Sequence, residues 1–128
     1  MASRIDPQLE VIVDRQLERL EALPPNWDHE GAPPIDHAII EAARGFIGRL
    51  WAKILREPAV VPMHSGNLQF EWNEGVRSLE MEIEDARTVR FLKWDPEQGV
   101  EEEDSFDIAD TAQAVALIEW FMRGTAHD

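Results

Sequence analysis

The chain has 128 residues and a formal net charge of −14 at pH 7, and 44% of its residues are hydrophobic. This length and apolar content predict one folded domain, residues 1–128, and exclude wholesale disorder. Because the chain contains no cysteine, disulfides, thiolate metal ligands and a cysteine nucleophile are excluded. The charged N-terminal segment and the lack of a long apolar run predict a cytoplasmic protein with no membrane partner.

The negative charge is concentrated in the second half of the chain. Residues 1–58 carry 10 acidic and 7 basic side chains, whereas residues 59–128 carry 16 acidic and 5 basic ones. Direct binding to nucleic acid needs cations that displace phosphate counterions, so this balance argues against it. An acidic surface suits a basic protein partner instead, and simple solubility is the alternative interpretation.

Apolar residues at helical spacing predict a helix over residues 7–22, which the prolines at 24–25 end. A second apolar stripe spans residues 39–54, with Asp36 as its N-cap and Pro58 as its end. We expect one continuous helix there.

Two glycines, Gly45 and Gly48, lie inside this second helical stripe. Each costs roughly 1 kcal/mol relative to alanine in a helix interior. A close approach by another backbone, such as that of the first helix, would explain them. The charges in this segment exclude a membrane glycine-pair motif.

The hydrophobic period then changes from 3.6 to 2, which is typical of strands. This pattern predicts an antiparallel meander of three to four strands with one apolar face and one charged face. The predicted strands are a short edge strand at 60–61 and longer strands at 68–72, 79–83 and 88–94.

Residues 95–105 are predicted to form a polar loop, after which Phe106 and Ile108 either add a short strand or pin the loop. A last helix is predicted to start after Asp110, which has capping-box spacing to Gln113, and to close at Gly124. The chain is therefore predicted to be α+β, with two N-terminal helices, the meander and a C-terminal helix. The helices are expected to pack on one sheet face.

The charged face of the predicted sheet is the first candidate binding surface. Strand alternation places on it Gln69, Glu71, Glu80, Glu82, Glu84, Thr88 and Arg90. Only Arg90, together with Arg77, is available to balance the glutamates. An ordinary solvated face with cross-strand pairs is one interpretation, and a docking surface for a basic protein, or a mimic of nucleic-acid phosphates, is the other.

The loop at residues 23–36 is the second candidate. Its Asp28-His29-Glu30 triplet contains titratable groups, but adjacent side chains usually point in different directions, so we predict no catalytic residue. The prolines, Asn26 and Trp27 favour a rigid elbow between two helices, with Trp27 filling the gap between them. A partner-recognition loop is the alternative.

We predict no metal site and no cofactor. The four histidines, His29, His37, His64 and His127, include no pair at the i,i+4 spacing of a helical zinc site. The acidic run at 101–104 lacks the alternation of a calcium loop. A solvated, charged loop is the favoured interpretation of that run.

Two sequence elements resemble a group of small bacterial proteins. These proteins carry an L-P-x-N-W-D-x-x-G-A-x-P-I element, then a G-x-x-Q-F-E-W strand and an L-E-x-E-I strand. The matching stretches here are LPPNWDHEGAPPI at 23–35 and GNLQFEWNEGVRSLEMEIE at 66–84. The resemblance covers roughly residues 20–95 and implies a shared fold and no particular activity. Such proteins look like those encoded near toxins or mobile elements.

From these patterns we expect a non-enzymatic, acidic protein-binding module that neutralises or escorts a basic partner, as antitoxins, immunity proteins and secretion chaperones do. The alternatives are a DNA mimic that inhibits a nucleic-acid-binding protein, a small enzyme that uses the loop at 26–37, and a structural homodimer. The predicted partner-binding residues are Trp27, Asp28, Glu30, Glu71, Glu80, Glu82, Glu84, Glu101, Glu102, Glu103 and Asp104. Trp27, Trp72 or Trp94, whichever is exposed, is expected to supply the binding anchor.

Overall fold

A computed structural model describes residues 7–125 of the chain. The helices are α1 (Pro7–Glu21), α2 (His37–Gly48) and α3 (Thr111–Thr125), and a short 3-10 helix spans Trp51–Lys53. The strands are β1 (Ala59–Pro62), β2 (Leu68–Glu74), β3 (Arg77–Ile83), β4 (Thr88–Asp95) and β5 (Val100–Asp107). This arrangement confirms the predicted α+β class, with two helices before the sheet and one after it.

The five strands form one antiparallel meander in the order β1-β2-β3-β4-β5. Its register sets Phe70 opposite Met81 and Met81 opposite Phe91, so these side chains form a row across the sheet. All three are at most 2% exposed. Burying a side chain of this size stabilises the fold by about 1.5–3 kcal/mol, so this face of the sheet supplies much of the core.

The three helices cover this apolar face. α1 buries one side chain per turn, α2 buries a stripe that includes Phe46, and α3 buries a stripe that includes Phe121. The buried helix residues are Leu9, Val13, Leu17, Leu20, Ile39, Ile40, Ala43, Phe46, Ile47, Ala114, Leu117, Ile118, Phe121 and Met122. Within residues 7–125, no helix is both long enough and apolar enough to cross a bilayer.

The second helix is shorter than its apolar stripe predicts. α2 begins after Asp36, whose carboxylate accepts the Ala38 N–H at 2.8 Å, and ends at Gly48 rather than near Pro58. Beyond it, Trp51 and Ile54 stay buried at 6% and 4% exposure, although the chain has left the α-helix. The apolar stripe therefore predicted correctly which residues are buried, but the prediction of one continuous helix is wrong.

The expectation that Gly45 and Gly48 allow a close backbone approach is wrong. A Cβ atom at Gly48 would meet nothing within 4 Å, and one at Gly45 would meet only the Arg49 side chain at 3.9 Å. Both glycines are exposed. Since glycine favours helix less than other residues do, the pair fits the end of α2 rather than a helix crossing.

The prediction of a polar loop over residues 95–105 is also wrong. A tight turn ends at Gly99, which has a φ of +68°, and β5 then pairs with β4 over eight residue positions. Acidic residues have low strand propensity, but context overrides propensity in sheets. Here the open edge of β4 supplies hydrogen-bonding groups, and Lys93 lies 3.5 Å from Glu102.

A buried ion pair joins the meander to the last helix. The Arg77 guanidinium contacts the Asp95 carboxylate at 2.9 Å, donates to the Trp120 carbonyl at 2.6 Å, and stacks over the Trp120 ring. Asp95 is only 4% exposed, and its other oxygen accepts the N–H groups of Glu97 and Gln98. The pair therefore fixes the β4–β5 turn and α3 to the same end of β3.

Replacing Arg77 with glutamine is expected to lower the free energy of unfolding by about 3 kcal/mol, because it leaves the buried Asp95 carboxylate without its cation. Urea denaturation measures this change. The matched control is Lys53→Gln, which removes an exposed ion pair to Glu119 at 3.3 Å and should cost at most about 1 kcal/mol. Equal, small losses in both variants would contradict the account.

Candidate functional site

The second face of the sheet carries no helix in the part of the chain that the structure describes. We name it the open face. Because side chains alternate along a strand, it is built from the residues that neighbour the buried ones. These residues are Ala59 and Val61 of β1, Gln69, Glu71 and Asn73 of β2, Ser78, Glu80 and Glu82 of β3, Thr88, Arg90, Leu92 and Trp94 of β4, and Glu101, Glu103, Ser105 and Asp107 of β5.

Two glutamates face each other at the centre of the open face. Glu71 on β2 lies directly opposite Glu80 on β3, and both are half-buried. Burial, and then the charge of Glu71, raise the pKa of Glu80 above its ordinary value. The Glu71 carboxylate also accepts a hydrogen bond from the Gln69 amide at 2.6 Å. Like charges at directly opposed sheet positions destabilise the pairing, so the fold carries an unfavourable contact here.

The open face has one strand cation among the described residues, Arg90. Its guanidinium lies 3.6 Å from Glu103 and 3.9 Å from Glu84, and it stands opposite Glu82 in the register. The expectation that Arg77 also balances this face is wrong, because Arg77 lies on the helix side with Asp95. The carboxylates of the open face therefore outnumber its cations by more than the sequence indicated.

A shallow polar depression and one exposed aromatic side chain lie among these carboxylates. A shallow depression of about 150 Å³ is lined by Gln69, Glu80, Glu82, Arg90, Phe91, Leu92 and Glu103. Trp94, on the same strand, is 42% exposed, whereas Trp72 is 2% exposed. Sequence reasoning named Trp94 as one of three possible binding anchors but left it out of the predicted partner-binding residues, although the alternation that buries Phe91 already implied that residues 92 and 94 point the other way.

The acidic run of β5 is split between the two sides of the sheet. Glu101 and Glu103 lie on the open face, opposite Trp94 and Leu92. Glu102 and Asp104 project to the other side. The four predicted partner-binding carboxylates at 101–104 therefore do not form one patch, because a strand alternates its side chains where a loop need not.

Asp28 organises the loop between α1 and α2. Its carboxylate accepts the N–H groups of Glu30 at 2.9 Å and Ala32 at 3.0 Å, and its second oxygen lies 2.7 Å from His64 Nδ1. The hydrogen bond to His64, helped by these two N–H groups, lowers the pKa of Asp28 to about 2. Sequence reasoning missed His64 as its partner, because the two residues are far apart along the chain.

The other loop residues also hold the loop's shape. Trp27 is half-buried against the core and donates its indole N–H to the Pro33 carbonyl at 2.8 Å. Asn26, at a φ of +65°, accepts the Gly31 N–H at 2.7 Å. The Glu30 side chain is exposed. Trp27, Asp28 and Glu30 thus sit on this loop, apart from the strands that carry the predicted sheet glutamates.

One group of side chains in residues 7–125 has the composition of a metal site. Ligand atoms of Glu21, His37 and Glu41 lie within 4.8 Å of one another where α1 ends and α2 begins. The signal that sequence reasoning missed is the i,i+4 spacing of His37 and Glu41. All three residues are exposed, Glu21 contacts His37 at 3.1 Å, and Glu41 is ion-paired with Arg44. These contacts account for the cluster as ordinary surface pairing.

The sequence elements that carry the resemblance to small bacterial proteins map to the α1–α2 loop and to β2 and β3. No protein-family model, no curated protein and no solved structure matches the chain. The resemblance stays a prediction.

Replacing Glu80 with glutamine is expected to raise the free energy of unfolding at pH 7 by up to about 1 kcal/mol, because it removes the repulsion from Glu71. Because the pKa of Glu80 is raised in the folded protein, its carboxyl group stays protonated to a higher pH there than in the unfolded chain. The gain should therefore vanish below about pH 4, where both states are protonated. Urea denaturation at both pH values tests this. Glu18→Gln on α1 is the control for net charge, and an equal gain there would contradict the explanation.

Replacing Asp28 with asparagine is expected to destabilise the protein in a pH-dependent way. Since the folded-state pKa of Asp28 is lowered to about 2, its stabilising contribution is complete above the unfolded pKa near 4 and is lost as pH falls toward 2. Urea denaturation between pH 2 and 7 should show a deficit that disappears at the acid end. The neighbouring Glu30→Gln should show no such trend. A deficit in Asp28→Asn that does not change with pH would refute the assignment.

Proposed function

We propose that this protein is a non-enzymatic, cytoplasmic binding module whose open face docks a basic protein. It would neutralise or escort that partner, in the manner of an antitoxin, an immunity protein or a secretion chaperone. The proposal combines a surface of carboxylates, an exposed tryptophan beside them and a chain whose second half is strongly acidic.

The opposed pair Glu71 and Glu80 is the observation that carries the proposal. A solvated sheet face gains nothing from two like charges at directly paired positions, and burial makes this pair worse. Contacts that break the local rules of a fold tend to lie where a protein acts. A lysine or arginine of a partner placed between the two carboxylates would turn the repulsion into attraction.

Trp94 supports the same proposal from the apolar side. Interfaces gain most of their affinity from a few central anchors, and tryptophan is the side chain most enriched among them. Trp94 stands opposite Ser78 and Glu101 in the register, so a small and an acidic side chain flank it across the strands. A partner with an apolar cleft ringed by basic side chains would match this arrangement.

The loop triplet offers less support for an enzyme. The Asp28 carboxylate is occupied by two N–H groups and His64, and the His29 and Glu30 side chains are exposed. A general acid–base pair needs groups tuned and held toward a substrate. These contacts instead give Asp28 a role in holding the loop that joins α1 to α2.

Affinity capture with purified protein tests the proposal. Wild-type protein is expected to retain a basic protein from the native host at low salt, and to retain less of it as ionic strength rises. Glu71→Gln/Glu80→Gln should weaken that binding about tenfold or more, because it removes the central charges. The matched control, Glu10→Gln/Glu18→Gln, removes two charges from α1 and should bind almost like wild type.

Trp94→Ala should weaken the same complex on the order of thirtyfold, as loss of an interface anchor does. Leu55→Ala, at a residue 73% exposed and outside the open face, is its control. No retained basic protein at either salt concentration, or equal losses in variants and controls, would overturn the proposal. Displacement of the partner by duplex DNA would instead favour the DNA-mimic alternative, in which the open face covers a nucleic-acid-binding surface.

A further inference from the structure

The two edges of the sheet differ in how they are protected. β1 is short and ends at Pro62, which has no backbone N–H. The Gln16 side chain of α1 accepts the outward Val60 N–H at 2.9 Å and reaches the Pro58 carbonyl at 3.5 Å. Capping of this kind stops another strand from pairing at an edge. The β1 edge is therefore closed by the protein's own first helix.

The β5 edge presents its main chain outward. The Ile108 N–H donates to the Arg87 carbonyl at 2.8 Å. This bond shows which residues of β5 direct their main-chain groups toward β4. Because ladder bonds alternate in an antiparallel pair, the N–H and C=O groups of Glu101, Glu103 and Ser105 point away from the sheet. The Ser105 N–H accordingly bonds the Asp104 side chain at 2.8 Å rather than β4. An extended chain laid along β5 would find the main-chain groups of Glu101 and Glu103 in strand register, and it would displace the Asp104 side chain from the Ser105 N–H.

The side chains of β5 select which extended chain can pair there. Glu101 and Glu103 flank the edge on the open face, and Glu102 and Asp104 flank it on the other side. A second copy of β5 would bring carboxylates opposite carboxylates, which destabilises pairing. A strand with lysine or arginine on both of its faces would meet acidic groups on both sides of the sheet.

The cations of β4 leave part of this charge unbalanced. Arg90 lies 3.6 Å from Glu103, and Lys93 lies 3.5 Å from Glu102. Glu101 and Asp104 have no cation within 4.0 Å among the described residues. The edge therefore keeps negative charge at both ends of its acidic run, in reach of a neighbouring strand.

We propose that the free edge of β5 binds an extended, lysine- and arginine-rich segment of the partner as a sixth strand. The inference rests on the proposed function and specifies how the partner is held. Main-chain hydrogen bonds supply affinity in this mode of recognition, and flanking side chains supply specificity. The same segment would pass beside Glu101 and Glu103, whose side chains belong to the open face, and Trp94 lies one strand further in, opposite Glu101.

The first test uses wild-type protein and a short peptide of valine and lysine with lysines on both faces of the extended chain. Its twin has the same sequence, but it is N-methylated on the amides that would face β5. Fluorescence anisotropy should show the parent peptide binding about tenfold tighter than its twin, which keeps the charge but loses the main-chain bonds. Equal binding of the two peptides, or binding of neither, would overturn the sixth-strand proposal.

The second test alters the protein without changing its charge. Ser105→Pro replaces one outward N–H, at a position where an edge strand tolerates proline, with a ring that an incoming strand cannot pair with. Because it removes one main-chain bond, it should weaken binding of the parent peptide by less than N-methylation of all the β5-facing amides does. In wild-type protein, peptide binding should slow amide hydrogen exchange at Glu101 and Glu103. Unchanged exchange at both residues would contradict the proposal.

The two proposals fail in different ways. If Glu71→Gln/Glu80→Gln no longer binds the captured basic partner but Ser105→Pro binds it as wild type does, the proposed function is supported and the sixth-strand proposal is wrong. If no basic partner is captured at all, the proposed function is wrong whatever the peptides do.

Discussion

The structure depends on burying one face of a single antiparallel sheet and leaving the other open. All three helices lie on the apolar face, where Phe70, Met81 and Phe91 form a row. Because strand side chains alternate, each residue that enters this core sends its neighbours to the other side. The position of the open face is thus a geometric consequence of the core. Its residues are the ones that alternate with the buried residues along each strand.

What occupies the open face goes beyond what that geometry demands. Any polar residues could form a solvated face, yet Glu71 and Glu80 lie opposite each other and are half-buried. Among the described strand residues of this face, Arg90 is the one cation. The fold gives up some stability there. Residues that serve a protein's function often lower its stability. Elsewhere, the Asp28–His64 contact and the Arg77–Asp95 pair fix the loop and the last helix.

Local patterns in the sequence predicted the elements well, and long-range contacts explain where they did not. The period of 3.6 gave α1, and the period of 2 gave β2, β3 and β4. The end of α2 was missed because Trp51 stays buried after the helix has ended. β5 was missed because its pairing depends on the open edge of β4 more than on its own residues.

The candidate site was predicted in part for the same reason. Alternation placed Glu71, Glu80 and Glu82 on one face, as the structure does. The partner of Asp28 and the true position of Arg77 could not be predicted, since each depends on a residue distant in the chain. Trp94 was one of three tryptophans predicted as possible anchors, and the structure shows that it is exposed whereas Trp72 is buried.

Nuclear magnetic resonance mapping of the captured basic partner onto the labelled protein tests the central claim most directly. The account predicts that the largest shifts fall on the Trp94 indole N–H and on the amides of Glu71, Glu80 and Glu103, with the helices little affected. Shifts confined to α1, to α2 or to the loop around Asp28 would contradict it. They would show that the partner binds the helix side and that the open face is only a solvated surface.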